Sequence, residues 1–404
     1  MPVAVSTDNP RKRRRSPAQL PPFSVPTYDL LADILSRLQV KSLLRFKCVC
    51  KKWNALISHP HFAKTHFHRS TTDPTFTHHM LLPQSCFLRD GVVSCSVKSL
   101  FNGNDFDVVV PQSLRYPLRP NHDVVGYCNG LLCLLFDKVR VRLLNPSTRS
   151  VSRESPPLFN RRDDPNRRVV FGFGYDDSSG AYKAVSVFVD YFMKSSVSVF
   201  SFGGGGEENG SWREVHGFPA AKPDWGKSGE FVNGTLNWLA RTAQDHKGFV
   251  IDEKLHAVYV DEYFVIVCFD LGKETFTELS LPRDIDRSCS VGTVLGVLKD
   301  CLCVSQNYET MNFVVWLMTE HGVKESWTRL LNISYADLGM EDYAFLDPLC
   351  MSEKGDILLS TNVAECKVVL YNAGDGRLEH RGIQSEKSWY RSKVYVESLV
   401  WPTH

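Results

Sequence analysis

The sequence predicts a mainly β protein with a small α domain, in which three N-terminal helices precede a β-propeller of about six blades, with seven as the alternative. Two observations support this architecture. No glycine occurs before Gly91, so all 26 glycines of the 404-residue chain lie in the part that follows. The apolar spacing also changes from a helical period to the two-residue period of strands. We therefore expect two domains of different class.

The first 24 residues are expected to form a disordered basic tail. They are polar, lack the apolar segment of a secretory signal and include five basic residues in a row from Arg11 to Arg15. The tail holds five of the 47 basic residues and one of the 45 acidic residues, so the rest of the chain has 42 and 44. The basic run fits a nuclear-import signal or a solvated tail, and we predict a protein of nucleus and cytoplasm.

Residues 25–67 have the apolar spacing of helices. Leu30, Ile34 and Leu38 recur at intervals of four residues, which places one apolar stripe along a first helix. A second helix fits residues 40–48 and a third fits residues 49–57. Three helices this short do not make a self-sufficient core, so some of their apolar surface is expected to contact a partner.

This segment resembles an F-box. Val25 and Gln39 stand where that family usually has leucine and proline. The matching positions are Pro26, Asp29, Leu30, Ile34, Leu35, Arg37, Leu38, Leu43, Arg45, Val49, Cys50, Lys51, Trp53, Leu56, Ile57 and Phe62. The alternative to an F-box is a helical hairpin that caps a larger domain.

The resemblance implies binding to a Skp-family adaptor and, through it, to cullin and RING subunits. It assigns nine residues to the adaptor interface and to the helical core behind it, without dividing the two roles: Pro26, Leu30, Ile34, Leu35, Leu38, Leu43, Val49, Cys50 and Trp53. Four lysines are predicted to form a basic rim suited to an acidic adaptor: Lys41, Lys47, Lys51 and Lys52.

A polar linker is predicted over residues 68–79, and a degenerate repeat over residues 80–404. One repeated element places a turn before a strand, as in CNGLLCLLF from Cys128 and VNGTLNWLA from Val232. The other is a strand, a polar turn and a returning strand, and it begins at Val139, Val197, Val265, Phe313 and Val368. These five units, with a sixth made of residues 80–110 and 393–400, predict a ring closed by both ends of the domain.

Several segments of this region resemble the F-box-associated interaction domain of plant F-box proteins, a kelch-related propeller. They are VVGYCNGLLCL, LLNPSTR, FGFGYD, FVNGTLNWLA and FDLGKETFTELSLP. With the F-box, this resemblance implies the substrate-recognition subunit of an SCF-type ubiquitin ligase, whose propeller loops bind an unknown protein target. Such a subunit is not an enzyme, because catalysis belongs to the conjugating enzyme held by the other subunits.

Motifs of catalysis and of cofactor or metal binding are missing. The run from Gly203 to Gly206 lacks the Lys-Ser/Thr of a phosphate loop, and neither G-x-S-x-G nor H-E-x-x-H occurs. The 12 cysteines include no C-x-x-C pair. No apolar run approaches the ~20 residues of a membrane helix. We expect no cofactor, no metal and no membrane span.

Two other functions stay open. The basic tail could bind nucleic acid, although this is unlikely because the rest of the chain is slightly acidic and phosphate binding needs a basic face. Alternatively, the central channel could bind a small ligand or substrate, which several inward carboxylates or histidines would favour. The charged segment of residues 160–168 could contact an acidic partner, but a solvated loop is the better interpretation.

Overall fold

The computed structural model describes residues 28–72, 78–83, 92–103, 108–110, 112–113, 122–160, 169–189, 194–203, 210–215, 217–219, 221–224, 227–242, 250–251, 257–258, 263–285, 292–308, 312–336, 345–361, 368–383 and 392–402. The predicted tail, Pro26 and the charged segment 161–168 lie outside these residues. The division into residues 1–24, 25–67, 68–79 and 80–404 stays a prediction.

Four helices form the N-terminal unit: α1 (Tyr28–Ser36), α2 (Val40–Phe46), α3 (Lys51–Ser58) and α4 (Pro60–Thr72). The first three correspond to the predicted helices, but α2 ends two residues early and α3 begins at Lys51. Cys50 precedes α3 in an extended conformation, with φ −159° and ψ 163°.

The sequence analysis does not predict α4, which extends through the first five residues of the expected linker. Its sequence is rich in His, Ser and Thr, which are weak helix formers. The contacts of α4 with α1, α3 and the last strand supply the missing stability. A further helix, α5 (Val97–Asn102), begins after Ser96, whose hydroxyl caps the backbone N–H of Ser99.

The strands, in chain order, are β1 (His78–Pro83), β2 (Val92–Ser96), β3 (Val108–Val109), β4 (Gln112–Ser113), β5 (His122–Cys128), β6 (Leu131–Phe136), β7 (Arg140–Asn145), β8 (Ser150–Val151), β9 (Val169–Asp176), β10 (Ala181–Val189), β11 (Ser195–Phe202), β12 (Arg213–Val215), β13 (Ala221–Pro223), β14 (Glu230–Val232), β15 (Thr235–Thr242), β16 (Val250–Ile251), β17 (Ala257–Val258), β18 (Tyr263–Asp270), β19 (Thr275–Leu279), β20 (Thr293–Leu298), β21 (Cys301–Tyr308), β22 (Asn312–Met318), β23 (Trp327–Ser334), β24 (Leu346–Met351), β25 (Ile357–Thr361), β26 (Val368–Tyr371), β27 (Leu378–Ile383) and β28 (Lys393–Val396). A 3-10 turn, Lys324–Ser326, precedes β23.

Five antiparallel blades consist of consecutive strands. Blade 1 has β5 to β8, blade 2 has β9 to β12, blade 3 is built on β15 with β13, β14, β18 and β19, blade 4 has β20 to β23, and blade 5 has β24 to β27. A composite sheet, in the order β28, β1, β2, β4, joins the end of the chain to the start of the β region. β16 and β17 pair separately.

The sequence predicts six blades, with seven as the alternative, by treating residues 80–110 and 393–400 as a further unit. The structure corrects this count to five blades of consecutive strands and one composite sheet. The composite sheet differs from the blades because it takes strands from both ends of the domain. β3, which the sequence assigns to the same unit, pairs in parallel with β27 of blade 5 instead.

Apolar cores between neighbouring sheets close the ring. Successive blades share one core at each of their four junctions. The composite sheet shares one core with blade 5 and another with blade 1. Trp238 and Trp316 are buried in these cores, and Trp327 is partly buried against one of them. The propeller is therefore continuous around the ring.

Glycines allow the innermost strands to approach one another. A Cβ atom on Gly126 of β5 would lie 2.4 Å from the Cβ of Phe173 on β9. A Cβ atom on Gly174 of β9 would lie 2.3 Å from the ring of Phe231 on β14. No larger residue fits at either position without movement of its neighbours, which explains the last glycine of the FGFG segment.

The repeated turn before a strand becomes the hairpin between the first two strands of a blade. Asn129 and Gly130 connect β5 to β6, with φ of 50° and 78°. Asn233 and Gly234 connect β14 to β15 with similar angles. Two residues with positive φ are typical of the type I′ turn, whose twist matches that of the strands.

Candidate functional site

The core of the helical unit contains two of the predicted site residues. Leu35 of α1 is 1% exposed and Leu43 of α2 is 0% exposed. They pack with Leu56 and Ile57 of α3 and with Phe62 of α4. Leu35 and Leu43 therefore hold the helices together and do not face a partner.

Other predicted site residues lie on the surface. Leu30 and Ile34, four residues apart on one face of α1, are 51% and 48% exposed, and Val49 between α2 and α3 is 61% exposed. Tyr28, which the sequence analysis does not select, is 62% exposed. We call these four side chains the exposed apolar set. They lie within 22 residues of one another in the sequence, and exposed apolar side chains that form a patch are candidates for an interaction surface.

The remaining predicted residues divide between the two environments. Cys50 is exposed, whereas Leu38 and Trp53 are partly buried against the helical core. The indole of Trp53 packs edge-on against Phe46, with ring centroids 5.4 Å apart. Pro26 lies outside the described residues. Trp53 thus connects α3 to α2.

Two arginines of the helical unit neutralise the carboxylate of Asp33. Asp33 of α1 accepts hydrogen bonds from Arg69 of α4, at 2.9 Å, and from Arg37, at 3.1 Å. The bond from Arg69, with that from Arg37, lowers the pKa of Asp33. The Arg69 guanidinium also contacts the Ser36 hydroxyl. This cluster fastens α4 to α1.

The predicted basic rim is mostly on the surface. Lys41, Lys51 and Lys52 are exposed, whereas Lys47 is partly buried, and burial lowers its pKa. Three exposed lysines therefore place positive charge on the surface of α2 and α3. This arrangement favours an acidic partner.

Helix α4 connects the helical unit to the propeller. The ring Nε2 of His66, which is fully buried, lies 2.8 Å from the backbone oxygen of Leu38. Lys64 donates a hydrogen bond to the Tyr175 hydroxyl of blade 2, at 3.2 Å. Leu399, which follows the last strand, is 6% exposed and completes the helical core. The end of the chain thus supplies part of the apolar contact that the short helices require.

A buried cluster of charged side chains lies between blades 2 and 3 of the propeller. Lys183 of blade 2, which is buried, lies 2.9 Å from Asp176 and 3.1 Å from Glu274 of blade 3. Burial opposes ionisation of Asp176, but hydrogen bonds from Ser178 and Ser179, with one from Lys183, outweigh it and lower its pKa. This arrangement links two blades and has the character of a structural contact.

Neither a metal site nor a membrane helix is found in the described part of the chain. No three His, Cys, Asp or Glu side chains among the described residues are placed to hold a metal ion. None of the helices that the structure describes has the length and apolar character needed to cross a bilayer.

Sequence reasoning missed three features of this site. It did not separate core from surface, because Leu30, Ile34 and Leu35 share the same helical period. It did not find α4 or the role of Leu399, which lies more than 300 residues from the helices. The one available signal was the shortness of the three helices, which predicted that something must cover part of their apolar surface.

Comparison with known proteins gives matches over both parts of the chain. The model of the F-box domain matches residues 27–65, and the model of the F-box associated beta propeller domain matches residues 88–401. An F-box/kelch-repeat protein of Arabidopsis thaliana is 31% identical over 391 residues, which cover 94% of this chain and 96% of that protein.

Two further comparisons give lower identities. The F-box protein CPR1 of Arabidopsis thaliana is 28% identical over 389 residues, covering 92% of this chain and 88% of that protein. Among solved structures, AztD of Citrobacter koseri has a TM-score of 0.39 and 11% identity, covering 82% of this chain and 100% of that chain.

Proposed function

Because this chain belongs to the family of F-box proteins that carry an F-box-associated β-propeller domain, we propose that it is the substrate-recognition subunit of an SCF-type ubiquitin ligase. The F-box implies binding to a Skp-family adaptor. Through that adaptor the chain joins cullin and RING subunits, and its propeller binds a protein that is to be ubiquitinated. The relatives are Arabidopsis proteins, from which we infer a plant origin.

The observation that carries this proposal is the exposed apolar set on the F-box. Leu30, Ile34 and Val49 leave about half of their surface in water, which a partner would cover. Full burial of a side chain of this size contributes about 1.5–3 kcal/mol, and about half of each of the three is still exposed. Covering them therefore contributes roughly 1 kcal/mol each to an interface, and the exposed lysines of the helical unit favour an acidic adaptor.

The proposed contribution to ubiquitination is proximity and orientation. The family is typically non-catalytic, and neither matching family model is that of an enzymatic domain. A ligase subunit of this kind raises the local concentration of the target beside the conjugating enzyme. A firm junction between F-box and propeller serves this role, because it limits the positions that a bound target can occupy. The basic run from Arg11 to Arg15 supports action in the nucleus as well as in the cytoplasm.

The test is co-purification with a Skp-family adaptor. We expect the wild-type chain to retain the adaptor and the double variant Leu30→Asp, Ile34→Asp to lose it, because charge replaces apolar contact at exposed positions. Leu35 and Leu43 are unsuitable for this test, since their substitution would unfold the F-box. The matched control is Val110→Asp, which places a charge at another exposed valine, 64% exposed, outside the F-box.

The two variants must also be compared for folding. Circular dichroism and thermal unfolding should give the same result for the wild type, the double variant and the Val110→Asp control. A folded wild-type chain that does not bind the adaptor would contradict the proposal. So would retention of the adaptor by the double variant.

A further inference from the structure

The two ends of blade 2 have different surroundings. At one end, Tyr175 of β9 contacts Lys64 of the F-box. Val169, at the other end of the same strand, lies six residues away, which corresponds to about 20 Å along a strand. Ser398 packs against Gly130, at the β5–β6 turn, so the chain end that reaches the F-box also lies on the Tyr175 side. The Val169 end therefore belongs to the face of the propeller that is turned away from the F-box.

A cavity of about 210 Å³ opens at this far end of blade 2. It is bounded by all four strands of the blade and by the segment that follows blade 1. The lining residues are Leu158, Phe159, Val169, Ser186, Phe188, Ser196, Ser198 and Glu214. Pockets for small molecules usually measure ~300–1,000 Å³, so this cavity suits a single side chain better than a whole cofactor or metabolite.

The chemistry of the lining favours a cation. Glu214 is the only charged residue among the eight, and its side chain is exposed at the mouth. One of its oxygens accepts a hydrogen bond from Ser196, at 3.2 Å. A carboxylate has further lone pairs and can accept from a cation at the same time. Phe159 and Phe188 supply aromatic surface, beside which a guanidinium or ammonium group is also stable.

We propose that this cavity receives a lysine or arginine side chain of the target protein. This inference rests on the proposed function, because it assumes that the propeller face turned away from the F-box binds the target. The same carboxylate repels phosphate, so a phosphorylated residue of the target does not occupy the cavity. The cavity thus gives the propeller a preference for targets that present a basic side chain.

The experiment selects peptides from a phage-displayed library of random 12-residue sequences on the full-length chain. Three variants are selected in parallel: Glu214→Gln, Glu214→Lys and Glu278→Lys. Glu278 is the matched control, because it is an exposed glutamate on an outer strand of the neighbouring blade, outside the cavity. Adaptor co-purification is measured on every variant, which tests the proposed function separately.

We expect peptides selected on the wild type to be enriched at least about threefold in Lys or Arg at one position. Glu214→Gln should remove this enrichment, Glu214→Lys should replace it with Asp or Glu, and Glu278→Lys should leave it unchanged. The inference is overturned if no peptide is enriched, if basic residues are not preferred, or if the preference survives in Glu214→Lys. If the chain binds the adaptor but selects no basic peptides, only the proposal for the cavity is rejected. If it selects basic peptides but does not bind the adaptor, only the proposed ligase role is rejected.

Discussion

The F-box and the propeller distribute their apolar side chains in opposite ways. Of the seven large apolar side chains that are exposed among the described residues, four lie between Tyr28 and Val49 and three are scattered over the rest. The propeller, with six cores between neighbouring sheets, hides its apolar surface within the ring. The F-box has one small core and keeps its remaining apolar side chains outside. The propeller covers its apolar side chains within its own ring, whereas the F-box needs contacts with other segments or proteins to cover its apolar surface.

The largest effect should come from a charge in the F-box core. Leu43→Asp places a carboxylate at a position that is 0% exposed, and we expect a loss of more than about 4 kcal/mol in the stability of the F-box. Hydrogen exchange should show that peptides of α1 to α4 lose protection while those of the blades keep it. Ile34→Asp, the surface counterpart, should change protection little. Equal loss of protection in the blades would show that the two parts are not distinct.

A methyl group added to an inner strand should test how closely the blades of the propeller pack. Gly126→Ala puts a Cβ atom against Phe173, and we expect a cost of about 3 kcal/mol because the backbone of Phe173 must move. The control is Gly210→Ala, since no atom lies within 4 Å of the added group. Urea denaturation followed by tryptophan fluorescence measures both. A loss as large in the control would refute the packing argument.

The junction between the two parts should have a smaller effect. Leu399→Ala removes the side chain that the end of the chain contributes to the F-box core, and we expect a cost of about 2 kcal/mol. The adjacent Val400 packs against the core of blades 1 and 2 instead, so Val400→Ala is the matched control. Hydrogen exchange in α1 to α4 should increase only in Leu399→Ala. Unchanged exchange there would mean that the F-box does not depend on the end of the chain.

The smallest effect concerns pH. Burial lowers the pKa of His66 below its usual 6.5, against the opposing effects of the Leu38 backbone oxygen and Glu397, while Arg69 lowers it further. Protonation therefore favours the unfolded state. The contribution of neutral His66 to the free energy of unfolding is complete above pH 6.5 and is lost as the pH falls below that value. The urea midpoint should drop between pH 7.5 and 5.5, and the drop should be smaller in His66→Gln. An identical drop in both proteins would exclude His66.

The sequence predicted those features that local pattern determines. The helical period of Leu30, Ile34 and Leu38 was sufficient to place α1, and the Asn-Gly pairs were sufficient to place two hairpins. The exposure of Leu30 and the burial of Leu35 could not be separated, because both belong to one apolar stripe and their difference depends on where α4 packs. Leu399 could not be assigned at all, since a contact between residues so far apart leaves no periodic signal.

The blade count shows the same limit. Each blade of consecutive strands has its own turns and alternation, so its strands can be recognised locally. The composite sheet depends on the pairing of β1 with β28, which only the closed ring brings together. The pairing of β3 with β27 of blade 5 likewise depends on tertiary packing. Local sequence patterns therefore predict the individual blades better than they predict the number of blades.

The position of Leu399 affects the order in which the protein can mature during synthesis. The F-box leaves the ribosome first, but the side chain that completes its core is made about 340 residues later, together with the strand that closes the ring. At ~5–20 residues per second, the helices wait tens of seconds for this contact. A chain that stops before its last strand would thus lack one side chain of the F-box core.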